Sequence, residues 1–536
     1  MSKKSRMAAT IIISFLFSFC FLIGESYDKI GTWQVLLDKP FLSFIKFIGI
    51  TVTSCIILFY IFIKVEERSW IKKQPGSIAK CIFDKKPLFF PWLIIAFSWL
   101  PNYILFFPGC LTIDAMKQLE QFYTGQLTNH HPILTTLIEG VFVSLGKTFG
   151  NIDIGVAVYL GIILVLSSGV FALGFRWMSC HKVSYKIRWL GLLYFCLFPL
   201  WSSYARTLVK DSLYYPVYFL FILCLFDIII EGNHYFYSCR KVTKFILICL
   251  LLCLVRHNGI YVVLVTLPGI FLFCKGSKRK VSVIIVFLIV FWEVYGAILP
   301  ILGVSPGGKQ EMLSIPFQQT ARYIKYHKKE VSREEEQVIN KVLDFDNLGD
   351  KYDPNLSDPV KNTYKRNDEY LLDYFKVWWK EFLKHPATYI QATLNGTYGY
   401  YAYKNTIKYS YGYYKQPVDS ELYQKKYHIE FNDKFQVERA KYQKTLQKLF
   451  DEGVLKILTQ PMFYNWIYFI LFVFVIQNKR IRKFWIAFLP FLISFVICLA
   501  SPVNGDMRYM LPLCSTWIMY LAFYQYQLSD ERIKNG

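Results

Sequence analysis

Cysteine is missing where a secreted domain would use it. The chain has 536 residues and 13 cysteines, yet none falls between Ile301 and Phe463, its one long polar region. A region of that size without cysteine is not held by disulfides, which fits a bacterial envelope better than a eukaryotic secretory lumen. The cysteines sit mostly in or beside apolar runs, as at Cys20, Cys55, Cys196, Cys249, Cys253 and Cys498. No C-x-x-C pair or histidine array encodes a strong zinc site. No internal repeat is visible, which argues against a transporter built from duplicated halves. The N-terminus is basic and then apolar, without a small-x-small cleavage site before Glu25, and reads as an uncleaved signal anchor. Acidic residues are scarce: 38 Asp and Glu against 61 Lys and Arg leave a formal charge of +23.

The location of that surplus decides its meaning. It is concentrated in short loops between apolar runs: Lys3, Lys4 and Arg6; Lys64, Arg68, Lys72, Lys73, Lys80, Lys85 and Lys86; Arg176, Lys182, Lys186 and Arg188. The series continues with Arg240, Lys241 and Lys244, then Lys275, Lys278, Arg279 and Lys280, then Lys479, Arg480, Arg482 and Lys483. These loops alternate with loops poor in Lys and Arg, as the positive-inside rule requires, so they are assigned to the cytoplasm and nucleic acid is not implied. With 54% hydrophobic and 18% aromatic residues, the chain reads as a polytopic, all-α protein of the plasma membrane with both termini cytoplasmic.

About twelve spans are expected. They are placed near Met7–Ile23, Phe41–Ile63, Leu88–Phe107, Ile154–Phe175, Trp189–Tyr204, Leu213–Ile230, Phe245–Val255, Ile260–Phe273, Val281–Leu302, Tyr464–Ile476, Phe484–Leu499 and Met510–Tyr526. Ile133–Phe149 is short and contains Glu139 and Lys147; counting it as a span would put Arg176 to Arg188 outside, so it reads as an interfacial helix. Glu293, inside the ninth span, is expected to be hydrogen-bonded within the bundle. Three units follow: a membrane module over 1–302 with an external loop at 108–152, an external, mainly helical domain over 303–463, and a three-helix membrane segment over 464–536. The external domain carries interspersed charges of both signs and aromatic residues at Trp378, Trp379, Phe382, Tyr389 and from Tyr398 to Tyr414, suited to a bilayer interface or a sugar platform.

The first external loop is the most informative stretch. Pro108-Gly109 breaks the preceding apolar run, and Leu111, Ala115, Leu119 and Phe122 then recur at helical spacing with Asp114, Gln118 and Gln121 on an adjoining face. This describes a surface helix holding a carboxylate and two amides toward something polar, or else an amphipathic connector. The topology puts Asp114, His130, His131, Arg206, Lys210, Asp211, Arg256, Gln318, Gln319, Arg322 and Arg508 on or near the outer face. A carboxylate among cations suits transfer from a lipid-phosphate donor: a base takes a proton from an acceptor hydroxyl while cations neutralise the departing phosphate. Asp114 is the candidate base, and Arg206, Lys210, Arg256 or Arg508 the candidate phosphate ligands.

Each has a plainer reading. His130 and His131 are adjacent, so their side chains are expected to diverge, with one at most joining Asp114. Lys210-Asp211 also suits an exposed helix start, Arg256 and Arg508 could snorkel to headgroups, and Gln318, Gln319 and Arg322 could be ordinary helix surface.

An Asp just beyond a span, then an interfacial helix opening on His-Pro, then a span ending in a basic loop, resembles the C-type glycosyltransferases (GT-C). The motifs Phe-Pro-Gly-x4-Asp-x3-Gln-x2-Gln, Asn129-His130-His131-Pro132, Lys210-Asp211, Arg256-x-Asn258-Gly259, Pro316-x-Gln318-Gln319 and Arg508-Tyr509-x-Leu511-Pro512 are similar to those of a group of uncharacterised multi-pass proteins of Gram-positive bacteria. The resemblance implies a GT-C-like bundle and an enzyme that moves a hexosyl or pentosyl group, with inversion, from a polyprenyl-phosphate sugar to an envelope glycan or teichoic-acid-type acceptor. It matches Asp114 to the family's catalytic acidic residue of the first loop and leaves open whether Asp114 acts as base alone, through a divalent cation or with Asp211. The family's acidic doublet is absent here, and Trp378-Trp379 is followed by Lys380 in place of the Asp of protein N-glycosylation enzymes. The alternatives are a transporter or flippase of a lipid-linked or small polar solute, which should pair charges at mid-membrane, and a non-catalytic assembly scaffold.

Overall fold

The computed structural model describes residues 3–67, 76–405, 433–479 and 481–534. Arg68, Lys72, Lys73 and Arg480 of the basic loops, and Tyr409, Tyr411, Tyr413 and Tyr414 of the aromatic cluster, lie outside the described residues. The fold is almost wholly helical, the solution open to an apolar chain in lipid, where each backbone N–H must find its partner within the segment.

Among the described residues, six helices are long and apolar enough to cross a membrane: Lys4–Ile30, Pro40–Val65, Ile152–Cys180, Asp211–Tyr237, Lys275–Ile301 and Arg482–Leu499. The pair Ser77–Lys85 and Phe89–Leu105, bent by 102°, makes a seventh if counted as one span. The other stretches expected to span are also helical, but shorter or more polar. Trp189–Tyr204 breaks at Phe198-Pro199 into the helices Tyr185–Leu197 and Pro199–Ala205, because proline cannot continue a helix but fits the first turn of the next. The hairpin arms Cys239–Val255 and Gly259–Phe273 have 17 and 15 residues. Gly259 lets them turn tightly, since a Cβ there would lie 2.0 Å from the Leu252 carbonyl oxygen.

The helix Asp211–Glu231 is apolar all round and sits at the centre, as such a helix must. In contrast, Pro40–Glu67 and Lys278–Ile301 lie at the rim with most of their apolar side chains exposed. Glu293 is on the exposed side of that second rim helix and not inside the bundle as expected.

The polar domain has its own core, in which Phe317, Ile324, Ile339, Val342, Phe345, Leu348 and Tyr374 are buried among the helices Ser314–His327, Arg333–Val342, Leu371–Lys384 and Pro386–Thr397. It is fastened to the loop before the helix Met507–Lys534: Ser357 N donates to Pro502 O at 2.8 Å, Tyr400 Oη to Val503 O at 2.9 Å, and Gly399 N to Asn504 Oδ1 at 2.8 Å.

Candidate functional site

One small element sets the register of the site. Cys110–Leu111 pairs in parallel with Thr207–Leu208, Leu111 lying opposite Leu208. Gly109 makes the approach: its φ is +133°, and a Cβ there would strike the Leu160 side chain at 2.1 Å. Thr112 then caps the helix Ile113–Thr124 by accepting from Ala115 N at 3.2 Å, and donates its hydroxyl to Leu208 O at 3.3 Å. Asp114 follows Leu111 by three residues, and Lys210 and Asp211 follow Leu208 by two and three, so the pairing brings these side chains together.

Lys210 Nζ lies 3.4 Å from Asp114 Oδ2 and 2.7 Å from His131 Nδ1. Arg508, at the start of the helix Met507–Lys534, donates from Nη2 to Asp114 Oδ2 at 2.5 Å and from Nε to Asp211 Oδ2 at 2.6 Å. Arg256, at the tip of the hairpin, donates from Nη1 to Asp211 Oδ1 and is flanked by the rings of Tyr214 and Tyr509 at 5.4 Å and 5.3 Å. Five charged residues from four chain segments thus form one connected network, with three cations to two carboxylates and a surplus of one positive charge.

The network is graded in exposure. Asp211 is 0% and Arg256 9% exposed, whereas Asp114 and Arg508 retain 26% and 25%. An incoming molecule meets Asp114 and Arg508; both Asp211 oxygens are buried under arginines. Asp211 is therefore placed as an electrostatic anchor for Arg256 and Arg508. Burial would raise the Asp114 carboxyl, but Arg508 and then Lys210 outweigh it and hold Asp114 well below the usual carboxylate range. Burial lowers the affinity of His131 and Lys210 for protons, His131 far enough to be neutral at pH 7.

The other sequence candidates have structural work. Gln118 is fully buried, its amide nitrogen 2.9 Å from Thr135 Oγ1 and from Thr136 Oγ1, so it pins one helix to the next instead of facing outward. Gln121 Oε1 accepts from Thr128 N at 3.1 Å. Arg206 is fully buried, donates from Nε to Asn102 Oδ1 at 2.8 Å, contacts the Cys110 thiol and stacks 3.6 Å over Phe106; it braces the paired strands from beneath. The His130 and His131 rings do not diverge but meet edge to face at 4.6 Å. In the polar domain, Gln318 donates to the carbonyls of Asp353 and Leu356, and Gln319 binds Thr393 and Trp378. Arg322 donates to Tyr352 Oη at 3.0 Å and Gln391 Oε1 at 3.2 Å. These three serve the domain's interior and do not join the network.

Three residues near the cluster were not singled out from the sequence. Asp506 Oδ1 accepts from Arg508 N at 2.8 Å and so fixes the helix start that carries Arg508. His257 Nε2 lies 3.1 Å from Asn129 O, tying the hairpin tip to the His-His-Pro loop. Glu139 is fully buried with no hydrogen-bond partner for either carboxyl oxygen. A lone acid in a short apolar helix reads in sequence only as evidence against a span.

Among the described residues, His327, Glu330 and His385 form the one group whose donor atoms gather closely enough for a metal, within 4.8 Å. The two imidazoles are stacked at 3.8 Å with 16° between their planes. Ring lone pairs lie in the ring plane, so parallel rings cannot aim at a common ion. Glu330 instead bridges the pair at 3.1 Å and 2.7 Å.

Fold and site together define a helical membrane protein with a buried network of charges, one positive charge in surplus, where several helix ends meet. The chain belongs to DUF6020, a family of unknown function, which it matches over residues 123–535. Lys210, Asp211, Arg256 and Arg508 lie within that match and Asp114 lies ahead of it. No curated protein and no solved structure matches the chain.

Proposed function

We propose that the protein is a glycosyltransferase of the plasma membrane that moves a sugar from a polyprenyl-phosphate donor to an envelope acceptor on the outer face. In this reading the shorter apolar helices also lie in the bilayer, giving about twelve spans with both termini inside. The observation that carries the proposal is Asp114: it is the accessible carboxylate of the network, and both cations that bind it are ones a phosphate would compete for.

As the donor phosphate enters, Arg508 and Lys210 turn toward it, and Asp114, relieved of part of its countercharge, becomes basic enough to accept a proton. The acceptor hydroxyl oxygen attacks the anomeric carbon while its proton passes to Asp114. The bond from that carbon to the phosphate oxygen breaks, its electron pair leaves on the phosphate, and Arg508 and Lys210 neutralise the new charge. The anomeric centre inverts. Asp211 keeps Arg508 and Arg256 in place through the step.

Asp114→Asn should insert and fold but abolish the glycan product, with polyprenyl-linked sugar accumulating in the cells that carry it. Normal envelope glycans in those cells would sink the assignment. For the topology, an impermeant thiol reagent outside should reach a cysteine introduced at Asp353 and not one at Arg279; the reverse would overturn the outer-face reading.

A further inference from the structure

The layer beneath the network holds a polar group that none of the preceding roles uses. Glu139 lies in the helix Ile133–Thr148, three and four residues after Thr136 and Thr135, so the three share a face. That face meets Gln118, whose nitrogen is bound to both threonines while its carbonyl oxygen is buried without a donor. From the packed helix Ile152–Cys180 comes Tyr159, whose hydroxyl is likewise buried and unpartnered. The charged groups acting on Glu139 are Lys210, Asp114 and Asp211; the helix Cys239–Val255, also in contact, adds none among the described residues. A carboxylate buried without hydrogen bonds is costly, and the group avoids that cost by keeping its proton. Burial, aided by Asp114 and Asp211 and opposed by Lys210, pushes Glu139 up to about 8. At pH 7 it is neutral and the network keeps its surplus charge; once ionised, Glu139 brings the sum to zero.

We propose that Glu139 is a positioning residue for the network, a buried proton-bearing carboxyl whose neutral form leaves the surplus positive charge to a phosphate and whose ionised form cancels it. The inference rests on the reading of the network as the donor's phosphate site. Binding and proton retention are then linked in both directions: a bound anion makes Glu139 harder to ionise, and ionised Glu139 weakens the anion's hold.

The test is the affinity of the purified full-length chain in lipid nanodiscs for farnesyl phosphate between pH 7 and 9.5. A phosphate monoester has its second pKa near 6, so its own charge is nearly constant in that window. Wild type should lose affinity about tenfold as pH rises through 8, equivalent to about 1.4 kcal/mol. Glu139→Gln, close in shape and always neutral, should hold its pH 7 affinity throughout. Glu139→Leu should show the same flat profile, with its melting temperature recorded to confirm folding. Loss of the Lys210 proton would persist in both variants and cannot imitate this result. Variants that bind and fall with pH as wild type does would overturn the inference alone. Absence of binding by wild type at every pH would overturn the phosphate-site reading and the inference with it.

Discussion

Arg508 divides its guanidinium between two carboxylates, and Arg322 divides its own between a tyrosine hydroxyl and an amide oxygen. Both are arginines with two partners in a packed setting, yet they do different physical work. Around Arg508 the charges are interdependent: remove one and a buried partner is left uncompensated. Around Arg322 the partners are neutral, and the rings of Tyr326 and Tyr352, 5.0 Å and 5.6 Å away, supply diffuse attraction. In the proposed reading, the first arrangement responds to an incoming anion because its cations have competing claims. The second is a packing device.

The sharpest way to break this comparison is to truncate both. Arg508→Ala should cost about 3–5 kcal/mol of stability, by thermal or denaturant unfolding in detergent, because Asp211 is buried. It should also lower transfer activity by about a thousandfold. Arg322→Ala should cost about 1–3 kcal/mol with farnesyl phosphate affinity unchanged; a loss of affinity would draw the polar domain into the site.

A smaller effect separates the two regions by pH. Burial raises the Glu335 carboxyl, but the Ser332 backbone N–H, Lys384 and Lys380 overcome it and bring it down to about 2. The folded value lies below the unfolded one, near 4.3. The stabilisation is therefore complete above pH 5 and disappears as pH falls toward 2. Melting temperatures over that window should fall less steeply for Glu335→Gln than for wild type. The smallest effect belongs to Glu330→Gln, which removes an exposed bridge between the stacked histidines and should move the melting temperature by about a degree or less.

Much of the network was legible because charge at the end of an apolar run is rare enough to notice. Asp114, His131, Lys210, Asp211, Arg256 and Arg508 are all at such ends, and the folded chain brings them together. Arg206 has the same sequence signature and a different fate, since nothing local says whether a polar residue at a helix end turns toward a cleft or into a packed interface; Gln118 lies mid-helix, and the pattern alone does not say which way its face turns. Gln318 and Gln319 were drawn in by the expected topology and by a motif of the resemblance, Arg322 by the expected topology; an expected shared side of the membrane is not a shared site. A related ambiguity concerns helix continuity: a sixteen-residue apolar stretch does not announce that Phe198-Pro199 will split it into two helices. Glu139 was hidden because its importance lies in what it fails to touch.

The position of Arg508 in the sequence has a consequence for how the protein is made. It binds a carboxylate 297 residues behind it. A growing chain therefore commits Asp211 to the membrane long before one of its two arginines has been synthesised. Until the Arg508 helix arrives, Asp211 has Arg256 alone and Asp114 has Lys210 alone. The charge centre is therefore completed only late in synthesis, when the helix Met507–Lys534 is made.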